Sequence, residues 1–222
     1  MQGIFNSRPP MPRYSFVWDI EVVLGHIRSM PSSSQLSIQQ LSWKLATLMA
    51  LTNADRASDL HLLDISFMQI QDQEVSFKIP GLSKTRRSGP PREVSYASFS
   101  EAEIICPVNT LKVYLQQTEK FRSVAEDGSN PLFIAIRKPH KPVTSATISR
   151  WMKNLMEQSG IDVEQFKPHS VRAAATSAAS NLGVSIKDIL KAANWAREST
   201  FLKFYHKPII KDTFGKAILN GR

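Results

Sequence analysis

The stretch KPHSVRAAAT, at residues 167–176, combines a helix start with two nitrogen-bearing side chains. Pro168 is favoured as the first residue of a helix, and the alanine-rich run after it continues the helix until Gly183. His169 and Arg172 are three positions apart, so they share one face of that helix. Because a helix N-terminus also offers free N–H groups and a positive dipole end, this face predicts a site for a phosphate oxygen. An ordinary helix start with a surface arginine would show the same pair, so the spacing alone leaves both interpretations open.

An aromatic cluster follows this helix. Tyr205 lies 33 residues after Arg172, in a short helix predicted at residues 200–206. Phe201 and Phe204 can be buried while Tyr205 turns toward Arg172. A tyrosine beside two phenylalanines more often belongs to the hydrophobic core, so this cluster indicates a functional site only in combination with the other candidate residues.

Hydrophobic periodicity predicts a mainly α-helical protein of the α+β class. Helical spacing of apolar residues predicts helices over residues 14–27, after Ser37, from Pro107 to about Phe121, from Thr144 to Gly160, from Pro168 to Gly183, after Ser185 and near residues 200–206. The second of these helices is the most strongly indicated, because Ser37 and Gln40 form a capping box.

The middle of the chain predicts a small antiparallel sheet. Val75, Phe77 and Ile79 alternate with polar residues, and Val94 and Tyr96 do so later. Between these strands, residues 81–91 form a basic loop rich in glycine and proline.

Composition and charge exclude several classes of protein. With 42% hydrophobic residues the chain can bury a core, and its single cysteine, Cys106, excludes an internal disulfide framework and a zinc site of paired thiolates. No apolar run approaches the roughly 18–20 residues of a membrane span. The net charge of +9 is carried by residues 137–222, which hold 15 basic and 6 acidic side chains. This surplus favours a nucleic-acid partner, although a merely soluble basic surface would also show it.

Five short boxes together resemble the tyrosine recombinase family of the phage-integrase type. LTNADRASDL at residues 51–60 resembles the first arginine box and contains Arg56, and SKTRR at residues 83–87 resembles the β-hairpin lysine region with Lys84. His169 and Arg172 resemble the His-x-x-Arg box. Trp195 matches a later position at which the family has His or Trp, and Tyr205 matches the position of the nucleophile. RPPMPRY at residues 8–14 and PHSVRAAATSA at residues 168–178 resemble recombinases of DIRS-type or Crypton mobile elements.

The resemblance implies the fold of the tyrosine recombinase catalytic domain and DNA breakage and rejoining through a 3′-phosphotyrosyl intermediate. In that chemistry Arg56 and Arg172 would clamp the phosphate, and His169 would add a hydrogen bond or shuttle a proton. Tyr205 would attack, Lys84 would protonate the leaving 5′ oxygen, and Trp195 would pack against the nucleophile. Because the arginines take the place of a cation and no carboxylate cluster has ligand spacing, neither a metal nor another cofactor is predicted.

The same resemblance predicts double-stranded DNA as partner and a tetramer at synapsis. Because the motifs resemble those of eukaryotic mobile elements, a nuclear location is also predicted. Residues expected to grip DNA are basic: Arg86, Arg87, Lys138, Lys141, Arg150, Lys153 and Lys167.

The sequence also departs from the family pattern. Ala54 and Asp55 precede Arg56 where the family usually has glycine, and Asp55 could pair with Arg56 and weaken it. The predicted organisation is an extended arm over residues 1–13 and a catalytic domain over residues 14–222, with the family's amino-terminal core-binding domain absent. Two other functions stay open: a catalytically silent DNA-binding remnant of a mobile element, and a helical adaptor with a basic surface.

Overall fold

The computed structural model describes residues 11–80, 91–124, 126 and 128–210. The helices in this part of the chain are α1 (Ile20–Ser29), α2 (Ile38–Asn53), α3 (Ala57–Leu60), α4 (Pro107–Thr118), α5 (Ser145–Gln158), α6 (Ser170–Asn181), α7 (Ile186–Ala192) and α8 (Glu198–Phe204). The strands are β1 (Val17–Trp18), β2 (Met68–Ile70), β3 (Glu74–Ile79), β4 (Arg92–Ala97) and β5 (Ile209–Ile210). Short 3-10 turns lie at Ser33–Gln35, Ile65–Phe67, Ser100–Ile105 and Glu119–Phe121.

Helix α2 is the centre of the core. Its capping box forms as predicted, because Ser37 accepts from the Gln40 N–H and the Gln40 side chain accepts from the Ser37 N–H. Residues 41–50 are buried around its whole circumference, and α2 packs against α4, α5 and α6. A helix buried on all sides holds its neighbours in place from the inside.

The predicted sheet is present as β2-β3-β4, with both pairs antiparallel. Val75 lies opposite Tyr96 and Phe77 lies opposite Val94, and all four side chains are buried. Alternation in the sequence therefore marked the face that packs on the core. The α+β, mainly α-helical class with a small antiparallel sheet is confirmed.

The first predicted helix is partly wrong. Val17 is buried in strand β1, and α1 begins only at Ile20, where the Asp19 side chain accepts from the Glu21 N–H. Strand β1 pairs in parallel with β5 at the other end of the described chain. This long-range pairing overrides the helical spacing of Val17, since a local pattern carries no signal for a partner about 190 residues away.

The later helices begin and end close to their predicted limits. Thr144 caps α5, Ser185 caps α7, and Gly183, with φ +85°, follows the end of α6. Ile186 in α7 is 36% exposed, whereas Ile189 on the same helix is buried. Among the described helices, the combination of length and hydropathy that a membrane span needs does not occur.

Candidate active site

The start of α6 and the end of α8 bring three of the predicted residues together. His169 Nε2 lies 3.1 Å from the Tyr205 hydroxyl, within hydrogen-bond distance. The Arg172 guanidinium carbon lies 5.8 Å from the centre of the Tyr205 ring. His169 and Arg172 therefore meet the same phenol from one helix face, as their three-residue spacing allows.

Trp195 forms the aromatic side of this arrangement. Its ring centre lies 4.3 Å from that of Tyr205 and 5.9 Å from that of Phe201, which is fully buried in α8. The Arg172 guanidinium lies over the indole at 4.4 Å, a cation–π contact. Tyr205 thus lies between an indole and an imidazole, and the Arg172 guanidinium lies beside the indole and the phenol ring.

Arg172 is nearly inaccessible, with 2% of its surface exposed. Its Nη1 donates to the Ala54 carbonyl at 2.5 Å, its Nη2 donates to the Ala193 carbonyl, and its Nε has no partner within the described residues. Burial, together with the positive charge of Arg56, lowers the pKa of Arg172 to about 10. The group remains charged at neutral pH and ties together the segments before Arg56 and before Trp195.

Arg56 is held more loosely, at the N-terminus of α3. Its side chain is 28% exposed, and Nη1 lies 3.6 Å from Asp59 Oδ2. The Arg56 N–H donates to the same carboxylate oxygen at 2.9 Å, which fixes the backbone at this position. The chain turns here because Ala54 adopts a left-handed conformation, with φ +49°.

The expected pairing of Asp55 with Arg56 is wrong. Asp55 is buried, accepts from the Tyr96 hydroxyl at 2.6 Å and pairs with Arg92 at 3.1 Å. Burial raises the pKa of Asp55 to about 6, against the opposing effects of Tyr96 and Arg92. Because strand β4 supplies both partners, Asp55 joins the sheet to the turn before Arg56, and its carboxylate pairs with Arg92 rather than with Arg56.

Arg92 is a residue of the site region that sequence reasoning missed. Besides Asp55, it contacts Asp59 at 3.4 Å. It therefore braces the carboxylate that holds the Arg56 backbone. The sequence offered no signal for this role, since an arginine in a strand beside a basic loop is ordinarily surface.

The environment of His169 favours its neutral form. Burial lowers its pKa from the usual value, and the positive charges of Arg56, Arg172 and Arg13 act in the same direction. A neutral imidazole can accept a proton at Nε2, the atom nearest the phenol. Arg13, expected in the extended arm, is therefore close enough to influence the site electrostatically.

A cleft of about 330 Å³ opens beside these residues. Its walls contain Arg56, His169 and Arg172 together with Met152 and with small or polar residues, namely Asp55, Ala57, Ser58, Ser145, Ala146, Ser149 and Pro168. Two guanidiniums and few bulky side chains at its wall suit a bound anion. Within the described residues, no group of three or more His, Cys, Asp or Glu side chains could hold a metal ion.

The remaining predicted residues fall into three groups. Lys84, Arg86 and Arg87 lie outside the described residues. Lys138, Lys141 and Arg150 are exposed and form no ion pair within the described ranges. Lys153 and Lys167 each lie 3.4 Å from Glu164, and these two lysines lower the pKa of the Glu164 carboxyl.

Comparison with known proteins identifies the class and then the family. The fold is that of the tyrosine recombinase catalytic domain. A model of the phage integrase family matches residues 26–209, which is most of the chain, so the chain belongs to the phage integrase family. A search of curated proteins returns no significant match.

Solved structures of site-specific recombinases share this fold. XerH recombinase in a pre-cleavage complex with difH substrate is 16% identical with a TM-score of 0.62, over 84% of this chain and 49% of XerH. XerA recombinase is 19% identical with a TM-score of 0.61, over 96% of this chain and 66% of XerA. The FLP recombinase–Holliday junction complex is 14% identical with a TM-score of 0.53, over 90% of this chain and 49% of FLP. The chain thus spans about half the length of XerH and FLP.

Proposed function

We propose that this chain is the catalytic part of a tyrosine recombinase that breaks and rejoins DNA strands during integration or site-specific recombination. The observation that carries the proposal is the 3.1 Å distance between His169 Nε2 and the Tyr205 hydroxyl. This contact lies beside a cleft whose wall contains Arg56 and Arg172. A phenol next to a neutral base and two guanidiniums suits attack on a phosphodiester.

In the proposed reaction the Tyr205 oxygen attacks the scissile phosphorus and its proton passes to His169 Nε2. A bond forms between the phenol oxygen and phosphorus, and the bond from phosphorus to the 5′ oxygen breaks. Arg56 and Arg172 stabilise the negative charge that grows on the non-bridging oxygens. Lys84, in the proposal, gives its proton to the departing 5′ oxygen.

The product is a 3′-phosphotyrosyl enzyme and a free 5′ hydroxyl. Since the covalent link preserves the energy of the ester bond, a 5′ hydroxyl of another strand can reverse the step without ATP. Trp195 restricts the phenol by packing at 4.3 Å, so that its oxygen stays near His169.

Double-stranded DNA is the proposed substrate and partner, gripped by the basic surface after residue 136. Lys138, Lys141 and Arg150 are available for phosphates because they are exposed, and Arg86, Arg87, Lys153 and Lys167 belong to the same proposed set. The XerH and FLP structures contain DNA, which supports a DNA partner. Assembly into four subunits at synapsis is part of the proposal.

Three finer features rest on the sequence motifs. RPPMPRY and PHSVRAAATSA favour an origin in a DIRS-type or Crypton transposable element, and a nuclear site of action follows from that origin. The proposed boundary places an arm at residues 1–13 and the catalytic domain at residues 14–222. The pairing of β1 with β5 supports it, because Val17 is part of the core.

The direct test uses a nicked suicide DNA substrate, from which the short 5′ fragment diffuses away. The expected result is a covalent protein–DNA adduct with the natural chain and none with Tyr205→Phe, although both bind the DNA. An adduct that persists in Tyr205→Phe would give the nucleophile role to another residue.

A catalytically silent DNA-binding remnant is the second candidate, and one observation favours it. The outer nitrogens of Arg172 already donate to two backbone carbonyls, and the residue is 2% exposed. If that arrangement persists on DNA, less of the guanidinium is available to the phosphate. Salt-sensitive DNA binding without an adduct on any suicide substrate would support the remnant.

A further inference from the structure

Helix α8, which precedes Tyr205, has one buried side chain, Phe201. Helix α8 has seven residues, and Tyr205 follows it with φ −124° and ψ −27°, outside helical geometry. Phe201 is fully buried, whereas Leu202 on the next position is 46% exposed. Phe201 fixes the helix against the core and Trp195 packs against the Tyr205 ring, and one contact to the Tyr205 main chain adds to these two.

Ser177 supplies that contact from α6. The residue is fully buried, and its Oγ donates to the Tyr205 carbonyl at 2.7 Å. The same Oγ accepts from the Lys207 N–H at 3.0 Å. One hydroxyl therefore holds the backbone both at Tyr205 and two residues beyond it.

This use of a helical hydroxyl differs from that of its neighbours. Serine and threonine inside helices usually donate to the carbonyl four residues earlier. Thr176 does so, with its hydroxyl 2.8 Å from the Arg172 carbonyl, and Ser42 in α2 does so at 2.6 Å from the Ile38 carbonyl. Ser177 instead reaches a segment 28 to 30 residues away.

The α6 region consequently contacts Tyr205 at two points, the hydroxyl and the main chain. His169, just before the helix, meets the hydroxyl, and Ser177, two turns later, holds the main chain. We propose that Ser177 is a positioning residue that sets the distance between the Tyr205 oxygen and the phosphate. The inference rests on the proposed recombinase function, because it assigns Tyr205 as the nucleophile.

The first test measures adduct formation in single turnover at saturating protein. Ser177→Ala should slow the reaction by about 10- to 100-fold, since misplacement by an ångström has effects of that size. The dissociation constant for the same DNA should not change. Ser177→Thr keeps the hydroxyl and should recover most of the rate.

Ser42→Ala is the matched control, because it removes a buried helical hydroxyl that does not line the cleft. It should leave the rate unchanged, and melting curves of both variants should show that each is folded at the assay temperature. Equal rates for the natural chain and Ser177→Ala would overturn the proposal, as would equal slowing by Ser42→Ala. Equal slowing by Ser177→Thr and Ser177→Ala, with both folded, would also contradict it.

A second measurement needs no activity and so separates this inference from the proposed function. The chain has four tyrosines, and fluorotyrosine labelling gives each a fluorine NMR signal, with that of Tyr205 assigned by its loss in Tyr205→Phe. Ser177→Ala should shift or broaden the Tyr205 signal and leave the other three in place. An unchanged Tyr205 signal contradicts positioning, whereas a changed signal with no adduct in the natural chain leaves positioning supported and removes the recombinase function.

Discussion

The two arginines of the candidate site are held in opposite ways by two corners of the molecule. In the α6 corner, formed by His169, Arg172, Trp195 and Tyr205, the arginine is 2% exposed and its guanidinium donates to backbone carbonyls. In the α3 corner, formed by Asp55, Arg56 and Asp59 with Arg92 beside them, the arginine side chain is 28% exposed and lies beside a carboxylate. The arginine of the α6 corner thus links backbone segments, whereas the arginine of the α3 corner is more exposed in the cleft wall.

This contrast predicts that stability and cleavage respond differently to loss of each arginine. A buried cation bonded to carbonyls leaves unsatisfied acceptors when removed, whereas a partly exposed ion pair contributes little.

The largest effect is expected in the α6 corner. Arg172→Ala should lower the free energy of unfolding by about 3 kcal/mol or more, because two carbonyls lose their donor and a cavity opens beside the indole. Cleavage should fall below detection. Chemical denaturation and the suicide-substrate reaction measure the two quantities.

Arg172→Lys is the matched variant, since it keeps the charge but not the planar fork. It should recover part of the stability and little of the cleavage. A fully stable Arg172→Ala would show that the carbonyl contacts do not organise the fold.

In the α3 corner the effect on stability should be small and the effect on cleavage large. Arg56→Ala should change the free energy of unfolding by less than about 1 kcal/mol, because the side chain and its ion pair are partly solvated. Adduct formation should slow about 100- to 1,000-fold if Arg56 stabilises transition-state charge. The same two assays apply, and a loss of stability equal to that of Arg172→Ala would remove the contrast between the corners.

A smaller effect is expected in the pH dependence, where the corners again differ. Burial lowers the pKa of His169 in the α6 corner, so cleavage should decline only below the usual histidine pKa of about 6.5. Burial raises the pKa of Asp55 in the α3 corner to about 6, so its contribution to stability falls as pH rises from about 4 toward 6. His169 acts in the opposite sense, since the unfolded chain takes up its proton first as pH falls.

Rate profiles between about pH 5 and pH 8 distinguish these groups. Asp55→Asn should keep the acidic limb of the cleavage profile, while His169→Asn should lose it along with about 100-fold in rate. An acidic limb that disappears in Asp55→Asn would assign the limb to the α3 corner instead.

Local patterns predicted the parts of this molecule that local interactions determine. The capping box of Ser37 and Gln40 and the caps Thr144 and Ser185 lie within a single helical turn, so spacing alone reveals them. The shared face of His169 and Arg172 follows from the same periodicity. The resemblance to a family, rather than periodicity, pointed from these residues to Tyr205.

Tertiary contacts determine the features that local sequence patterns did not predict. Asp55 finds Arg92 and Tyr96 about 40 residues away, a partnership that no local spacing encodes. Ser177 reads as an ordinary small residue in an alanine-rich helix, and its bond to the Tyr205 carbonyl depends on how α8 docks. The burial of Arg172 was also unexpected, because arginine is ordinarily exposed.

In the proposed reaction, the Tyr205 oxygen becomes the covalent link to DNA. Proteolysis of the trapped adduct, followed by mass spectrometry of the DNA-linked peptide, locates that link directly. The expected link joins Tyr205 to the 3′-phosphate of the cleaved DNA strand. A nucleotide on any other side chain, or its attachment through the 5′ end, would contradict it.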